Sequence, residues 1–165
     1  MKFYIYALMV FIVFVGCKDL KISKTTYKNH IGDTEFNPEI DNPNFKFCDS
    51  SKILHKRALI YYTGGTRALE EALLNAYTFK PKYAYFTGYI IIRFAINCNN
   101  KIERIRTEVL DSDFNATTDQ NDIEAHFASI FKHLEHWNHA IYKGESYDGY
   151  SFYTVKIVNG KILKS

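Results

Sequence analysis

The chain predicts an α+β fold of two layers, a small antiparallel sheet carrying two helices on one face, in the order helix, strand, strand, helix, strand. Strict alternation of apolar residues after Gly88 marks a half-buried strand, and helical spacing from Asp122 to Trp137 marks an amphipathic helix. An aromatic content of 16%, with 13 Tyr and 13 Phe, favours a sheet-containing domain over a helical bundle. One helical layer packed on one sheet face would bury both kinds of stripe.

The elements follow in order. The stretch from Ile53 to Tyr62 is short, apolar and basic, and fits either a strand or a turn of helix. Thr63-Gly64-Gly65-Thr66 then punctuates the chain, with Thr66 placed to cap a helix and Glu70 and Glu71 near the positive end of its dipole. Ala68, Leu69, Ala72, Leu73 and Ala76 recur at helical spacing, which predicts a first helix from Arg67 to Tyr77. Beyond Gly88, residues Ile90, Ile92, Phe94, Ile96 and Cys98 share one strand face, and Tyr89, Ile91, Arg93, Ala95 and Asn97 the other. The face bearing Phe94 should look into the core. Asn99-Asn100 suits a tight hairpin because Asn tolerates left-handed backbone, and a second strand follows from Ile102 to Leu110. Asp111 to Asn121 is polar and turn-rich, a loop. Ile123, Phe127, Ile130, Leu134 and Trp137 predict the second helix over Asp122 to Trp137. A last strand from Tyr150 to Val158 ends at an Asn159-Gly160 turn.

The beginning of the chain bears on location. A positive start at Lys2, an apolar run from Phe3 to Val15 and a small residue at Gly16 have the layout of a secretory signal, Met1 to Gly16. The run is shorter than the roughly 18 to 20 residues that cross a bilayer. Phe14-Val15-Gly16-Cys17 resembles the lipobox of bacterial lipoproteins, so Cys17 is the expected site of acylation and the link to a membrane. Cys17 to Asn44 is polar, contains Pro38 and Pro43, and reads as a tether; Phe45 to Ser165 reads as the domain. With Cys17 acylated, Cys48 and Cys98 form an even pair in an oxidising compartment, and a disulfide between them is expected. The alternative is two separately buried thiols.

Chemistry is sparse. There are 21 Lys and Arg against 18 Asp and Glu, a formal net charge of +3, scattered without a basic block, so no nucleic acid is expected as partner. His126, His133, His136 and His139 are the one metal-like constellation. Steps of three carry them around a helix rather than down one face, so neither metal nor another cofactor is expected. The Thr63-Gly64-Gly65-Thr66 turn lacks a Walker lysine and the dinucleotide pattern. No Gly-x-Ser-x-Gly elbow is present, and the carboxylate pairs Glu70-Glu71 and Asp111/Asp113 are ordinary for helix starts and loops. The expectation is a protein that is not an enzyme.

From Tyr62 to Ile162 the chain resembles the C-terminal domain of TonB-type proteins, in the divergent forms found in Bacteroidetes. Tyr62-Thr63-Gly64-Gly65-Thr66-Arg67-Ala68-Leu69 is similar to that family's entry to its first helix. Gly88-Tyr89-Ile90-Ile91-Ile92-Arg93-Phe94-Ala95-Ile96-Asn97 resembles its Gly-led strand, Ile123 to Trp137 its second helix and Tyr150 to Ile162 its last strand. The chain departs from the family in carrying Lys80-Pro81 where a Tyr-Pro element is usual, and Asn99-Asn100 where a hairpin glycine is usual. It also has a lipid site in place of the motor-coupled membrane helix and only three prolines in place of a long proline-rich spacer. The resemblance implies a fold kept with energy transduction lost, and a last strand at the sheet edge able to add an extended peptide. Tyr147, Tyr150, Phe152, Tyr153 and Val155 are the expected contacts of that edge. The expected function is a lipid-anchored, non-catalytic binding or assembly module of the cell envelope, on the outer membrane facing the periplasm. An outer-membrane receptor or another envelope protein is the expected partner. The alternatives are a structural lipoprotein that contacts peptidoglycan or pairs with a second copy as a homodimer, and, third, an envelope enzyme.

Overall fold

The computed structural model describes residues 36–54, 59–118 and 122–164. The signal segment Met1 to Gly16, the lipid site Cys17 and the tether up to Glu35 lie outside the described residues. The chain forms β1 (Ile53–Leu54), β2 (Tyr61–Tyr62), α1 (Gly65–Ala76), a 3-10 turn (Pro81–Tyr83), β3 (Gly88–Ile96) and β4 (Ile102–Leu110). It continues through α2 (Ile123–His133), β5 (Trp137–Asn138), β6 (Ala140–Tyr142), β7 (Glu145–Val158) and β8 (Lys161–Ile162). The fold is α+β, with two helices and a mixed sheet ordered β1-β7-β3-β4, plus a second small sheet of β2 and β5. The three long strands are antiparallel as expected, but β1 runs parallel to β7, so the sheet is not purely antiparallel.

Alternation in β3 works as the sequence implies. Ile90, Ile92, Phe94 and Ile96 are all at most 1% exposed and pack with Val109, Val155 and Ile157 of the neighbouring strands. Leu69 and Leu73 of α1 and Ile123, Phe127, Ile130 and Phe131 of α2 close the same cluster. Each such side chain contributes about 1.5–3 kcal/mol on burial, which makes this stripe the main source of stability. The β3–β4 turn uses Asn100 at φ 62°, and Asn97 secures it by accepting the Asn99 and Lys101 amides on Oδ1. Two-residue turns with both residues at positive φ, Lys143-Gly144 and Asn159-Gly160, tie β6 and β8 to β7.

Three boundaries differ from expectation. Helix α1 starts at Gly65 behind Gly64, whose φ is 86°, and no side chain caps it; Thr66 lies inside the helix because the two glycines absorb the turn. Helix α2 stops at His133, not Trp137. Leu134 turns extended and His136 takes φ 73°, which carries Trp137 into β5, against Phe94 at 4.6 Å and Tyr62 at 5.3 Å between ring centroids. Strand β7 begins at Glu145, five residues before the expected Tyr150.

The segment expected as the end of a tether is packed. Residues 36–48 cross the sheet face opposite the helices as a strap that leads on to β1. Asp41, 6% exposed, accepts both ends of the Arg106 guanidinium at 2.7 and 2.8 Å and the Asn37 amide. Phe45 and Phe47 meet edge to face, and the Arg104 guanidinium lies 4.9 Å from the Phe47 ring centre. Arg104 reaches that position from a bulge, where β4 spends an extra residue between the Arg93–Arg106 and Ala95–Glu103 pairs and Arg104 takes φ 54°. The strap is then stapled at the hairpin end by the Cys48–Cys98 disulfide. Beside it, buried Asp148 of β7 accepts the backbone amides of Asp49 and Cys98.

Two outcomes follow for this strap. The disulfide joins residues separated by 50 in sequence, so Cys48→Ser with Cys98→Ser should lower unfolding free energy by roughly 4 kcal/mol, read from denaturant midpoints. Burial alone would raise the Asp41 carboxyl, but hydrogen bonds from Arg106 and Asn37 and the charges of Arg106 and Arg104 outweigh it and hold its pKa below the ordinary value. A depressed folded pKa gives stability that is present above the unfolded value of about 4 and is lost as pH falls through the folded value. Asp41→Ala should therefore cost about 3–5 kcal/mol at neutral pH, the scale for breaking a buried pair, and the gap from the parent should narrow in acid titrations of stability.

Candidate functional site

The five expected edge residues are distributed unequally. β7 pairs with β3 from Gly149 to Ile157 and with β6 at 145–147, while its outer flank takes β1 at 148–149 and β8 at 157–158. It is thus a strand clasped at both ends, not an edge strand along its whole length. Val155 is 3% exposed in the helix-facing core and has no surface to offer. Tyr147 is packed against the core beside Tyr142. Tyr150 lies on the strap side, edge to face with Phe47 and near the Arg104 guanidinium. Phe152 faces the strap side as the partner of Arg93, and Tyr153 faces the helices as the partner of Ile92.

Phe152 and Tyr153 nevertheless come together at one place. With Ser151 they form one wall of a recess of about 270 Å³ against the outer flank of β7. The opposite wall is Ile60, Tyr61 and Tyr62 of the β2 region and Gly65, Thr66 and Leu69 at the start of α1, with Trp137 of β5 also lining it. Tyr61 is 55% exposed and marks the mouth. Burial, and after it the charge of Glu70, raises the Tyr153 phenol pKa; burial and then Glu135 do the same for Tyr62. Both hydroxyls are therefore neutral donors at physiological pH, suited to hydrogen bonding a ligand while their rings supply apolar contact. Tyr61, Tyr62 and Trp137 were not candidates on sequence grounds; only the pairing of β2 with β5 places them here.

The backbone adds directionality. The Lys156 carbonyl accepts the Leu163 amide on the outer flank. Since strand residues two apart direct their backbone groups to the same side, Thr154 presents its N–H and C=O to that flank.

A second recess, about 490 Å³, lies at the other end of β5 and is lined by Lys101, Glu103, Lys132, Glu135 and His136 among others. Its charges are mixed in sign and select no ligand class. The histidines have separate partners: His126 stacks on Tyr77, His133 meets the Ser129 carbonyl and His136 lies edge-on to Tyr62. Asn100 Oδ1 accepts the His139 amide and also contacts Nδ1 at 2.6 Å. Nδ1 must therefore carry a proton, and Nε2 hydrogen-bonds with the Ser146 hydroxyl at 3.0 Å. Neither His139 nor Ser146 lines either recess. Cys48, Cys98 and Asp148 are the one cluster of metal-type ligand atoms among the described residues, and its sulfurs are bridged.

Comparison with known proteins finds no family, no curated protein and no solved structure that matches the chain. The site is thus defined by its own geometry.

Val155→Asp places a carboxylate among Ile90, Val109 and Ile157 and should destabilise the protein by several kcal/mol, whereas Tyr61→Ala at the mouth should stay within about 0.5 kcal/mol. Thermal unfolding of the two variants separates core from site.

Proposed function

We propose that this protein is a lipid-anchored envelope module that binds an extended protein segment along the outer flank of β7, without catalysis. The observation that carries this reading is the aromatic recess lying between the two clasps of that flank. Tyr61, Phe152 and Tyr153 offer large, stiff contact area, and Thr154 offers a main-chain donor and acceptor for strand addition. The similarity of Tyr62 to Ile162 to TonB-type C-terminal domains supports the same flank as the contact surface and points to an outer-membrane receptor or another envelope protein as partner. Gly16-Cys17 supports attachment through a lipid, with the outer membrane facing the periplasm as the address. The Cys48–Cys98 bridge fits an oxidising compartment.

The test uses the lipidated chain as bait in solubilised envelope, followed by titration of the purified partner. Tyr61→Ala and Phe152→Ala should each weaken that partner by about tenfold or more, the scale of aromatic anchors, and binding should slow hydrogen exchange at the Thr154 amide. Equal affinity of all three proteins with no change at Thr154 would refute the strand-addition reading. Concentration-dependent dimers protected at Thr154 would assign the flank to a second copy and favour the structural lipoprotein.

A further inference from the structure

We propose that the end of the molecule built from the 79–87 loop and the β7–β8 turn is a docking surface for an anionic phospholipid bilayer. The loop is dense in aromatic and cationic residues, Phe79-Lys80-Pro81-Lys82-Tyr83-Ala84-Tyr85-Phe86, and its rings have divided roles. Tyr83 is fully buried and fixes the loop to the core. Tyr85 is 98% exposed and Phe79 42% exposed, outward in a loop that is otherwise well anchored.

The anchoring makes this a rigid surface. The Gly160 amide donates to the Phe86 carbonyl, the Tyr77 hydroxyl donates to the Gly160 carbonyl at 2.6 Å, and the Asn159 amide donates to the Thr87 hydroxyl. The contact at Gly160 is so close that a Cβ there would lie 2.5 Å from the Tyr83 carbonyl oxygen and 2.9 Å from the Phe79 ring. Loop and turn are therefore one surface, and exposed Lys161 joins exposed Lys80 on it.

Charge complementarity selects the occupant. Lys80 and Lys82 flank the aromatic loop, and Lys161 extends the positive rim. Lys82 is held by Asp122 at 2.6 Å. Asp111, next to Gly88 at the end of the loop, turns its carboxylate into its own loop to accept the Asp113 and Asn115 amides. Protruding Tyr and Phe side chains beside lysines match the interfacial zone of a bilayer, where amphipathic rings sit at headgroup level and lysines meet anionic lipid. No helix among the described residues is long and apolar enough to cross a membrane; the contact proposed here is a peripheral one. It is separate from the β7 flank and does not depend on the peptide-binding reading.

The experiment puts a reporter at the tip. The full chain carrying Tyr85→Trp is reconstituted into phosphatidylcholine vesicles with or without phosphatidylglycerol, with bromine on the acyl chains. The native Trp137, 6% exposed, supplies both the background and a check that the fold is intact. Trp emission from position 85 should be quenched in the anionic vesicles and not in the neutral ones, and high salt should reverse the quenching. Lys80→Ala and Lys161→Ala should each weaken the docked state about fivefold. An unquenched reporter in anionic vesicles, or quenching that ignores lipid charge and both lysines, overturns the proposal. Protection of position 85 by a co-purifying protein in place of lipid also overturns it and assigns the surface to a protein partner.

Discussion

The structure depends on one constraint: the second half of β3 is buried on both faces. Phe94 and Ile96 face the helices, while Arg93, Ala95 and Asn97 on the reverse are themselves at most 9% exposed. Two helices cover only one side of a sheet, so the reverse requires a cover of its own, and residues 36–48 supply it. That side is charged as well as apolar. Arg93 and Arg106 stand directly opposite across β3 and β4, an arrangement that repels unless each cation has its own anion. Glu108 takes Arg93 at 3.0 Å and Asp41 of the strap takes Arg106. The strap is thus a neutralising layer as much as a lid. The disulfide and Asp148 hold its far end where the hairpin, the strap and β7 converge.

How much of this could be read from residues alone follows from the range of each interaction. β3, β4 and the two helices rest on periodic burial within a single element, and Gly88, Ile102 and Leu110 fall at the observed strand ends for that reason. The strap has no period. Its fastening is made of single pairs far apart in sequence, Asp41 with Arg106 and the Lys46 carbonyl with the Asn97 side chain, so a polar stretch with two prolines looks like a tether. The overrun of α2 has the opposite cause: Leu134 and Trp137 continue the helical spacing, yet Trp137 gains more by joining Tyr62 and Phe94 than by staying in register. The start of β7 is hidden because Glu145 to Gly149 is polar, and its pairing with β6 depends on the turn at Lys143-Gly144. Of the site, Phe152 and Tyr153 are visible as aromatics of a strand, whereas Tyr61, Tyr62 and Trp137 reach it through a two-residue pairing that no local pattern announces.

The clasped geometry of β7 also limits what could bind there. A strand of 14 residues with a bare flank would invite edge-to-edge aggregation. Among the described residues β1 closes one end of that flank and β8 the other, with Thr154 between them. At about 3.3 Å per residue Gly149 and Ile157 lie roughly 26 Å apart along the strand, too little for the side of another sheet. The recess opens beside it, so a segment lying along Thr154 would place its side chains near Tyr61 and Tyr153. Main-chain pairing alone tells few sequences apart, since every peptide carries the same donors and acceptors. In the proposed complex selectivity would have to come from the aromatic pocket, with the clasps excluding long partners that could bind on backbone contacts alone.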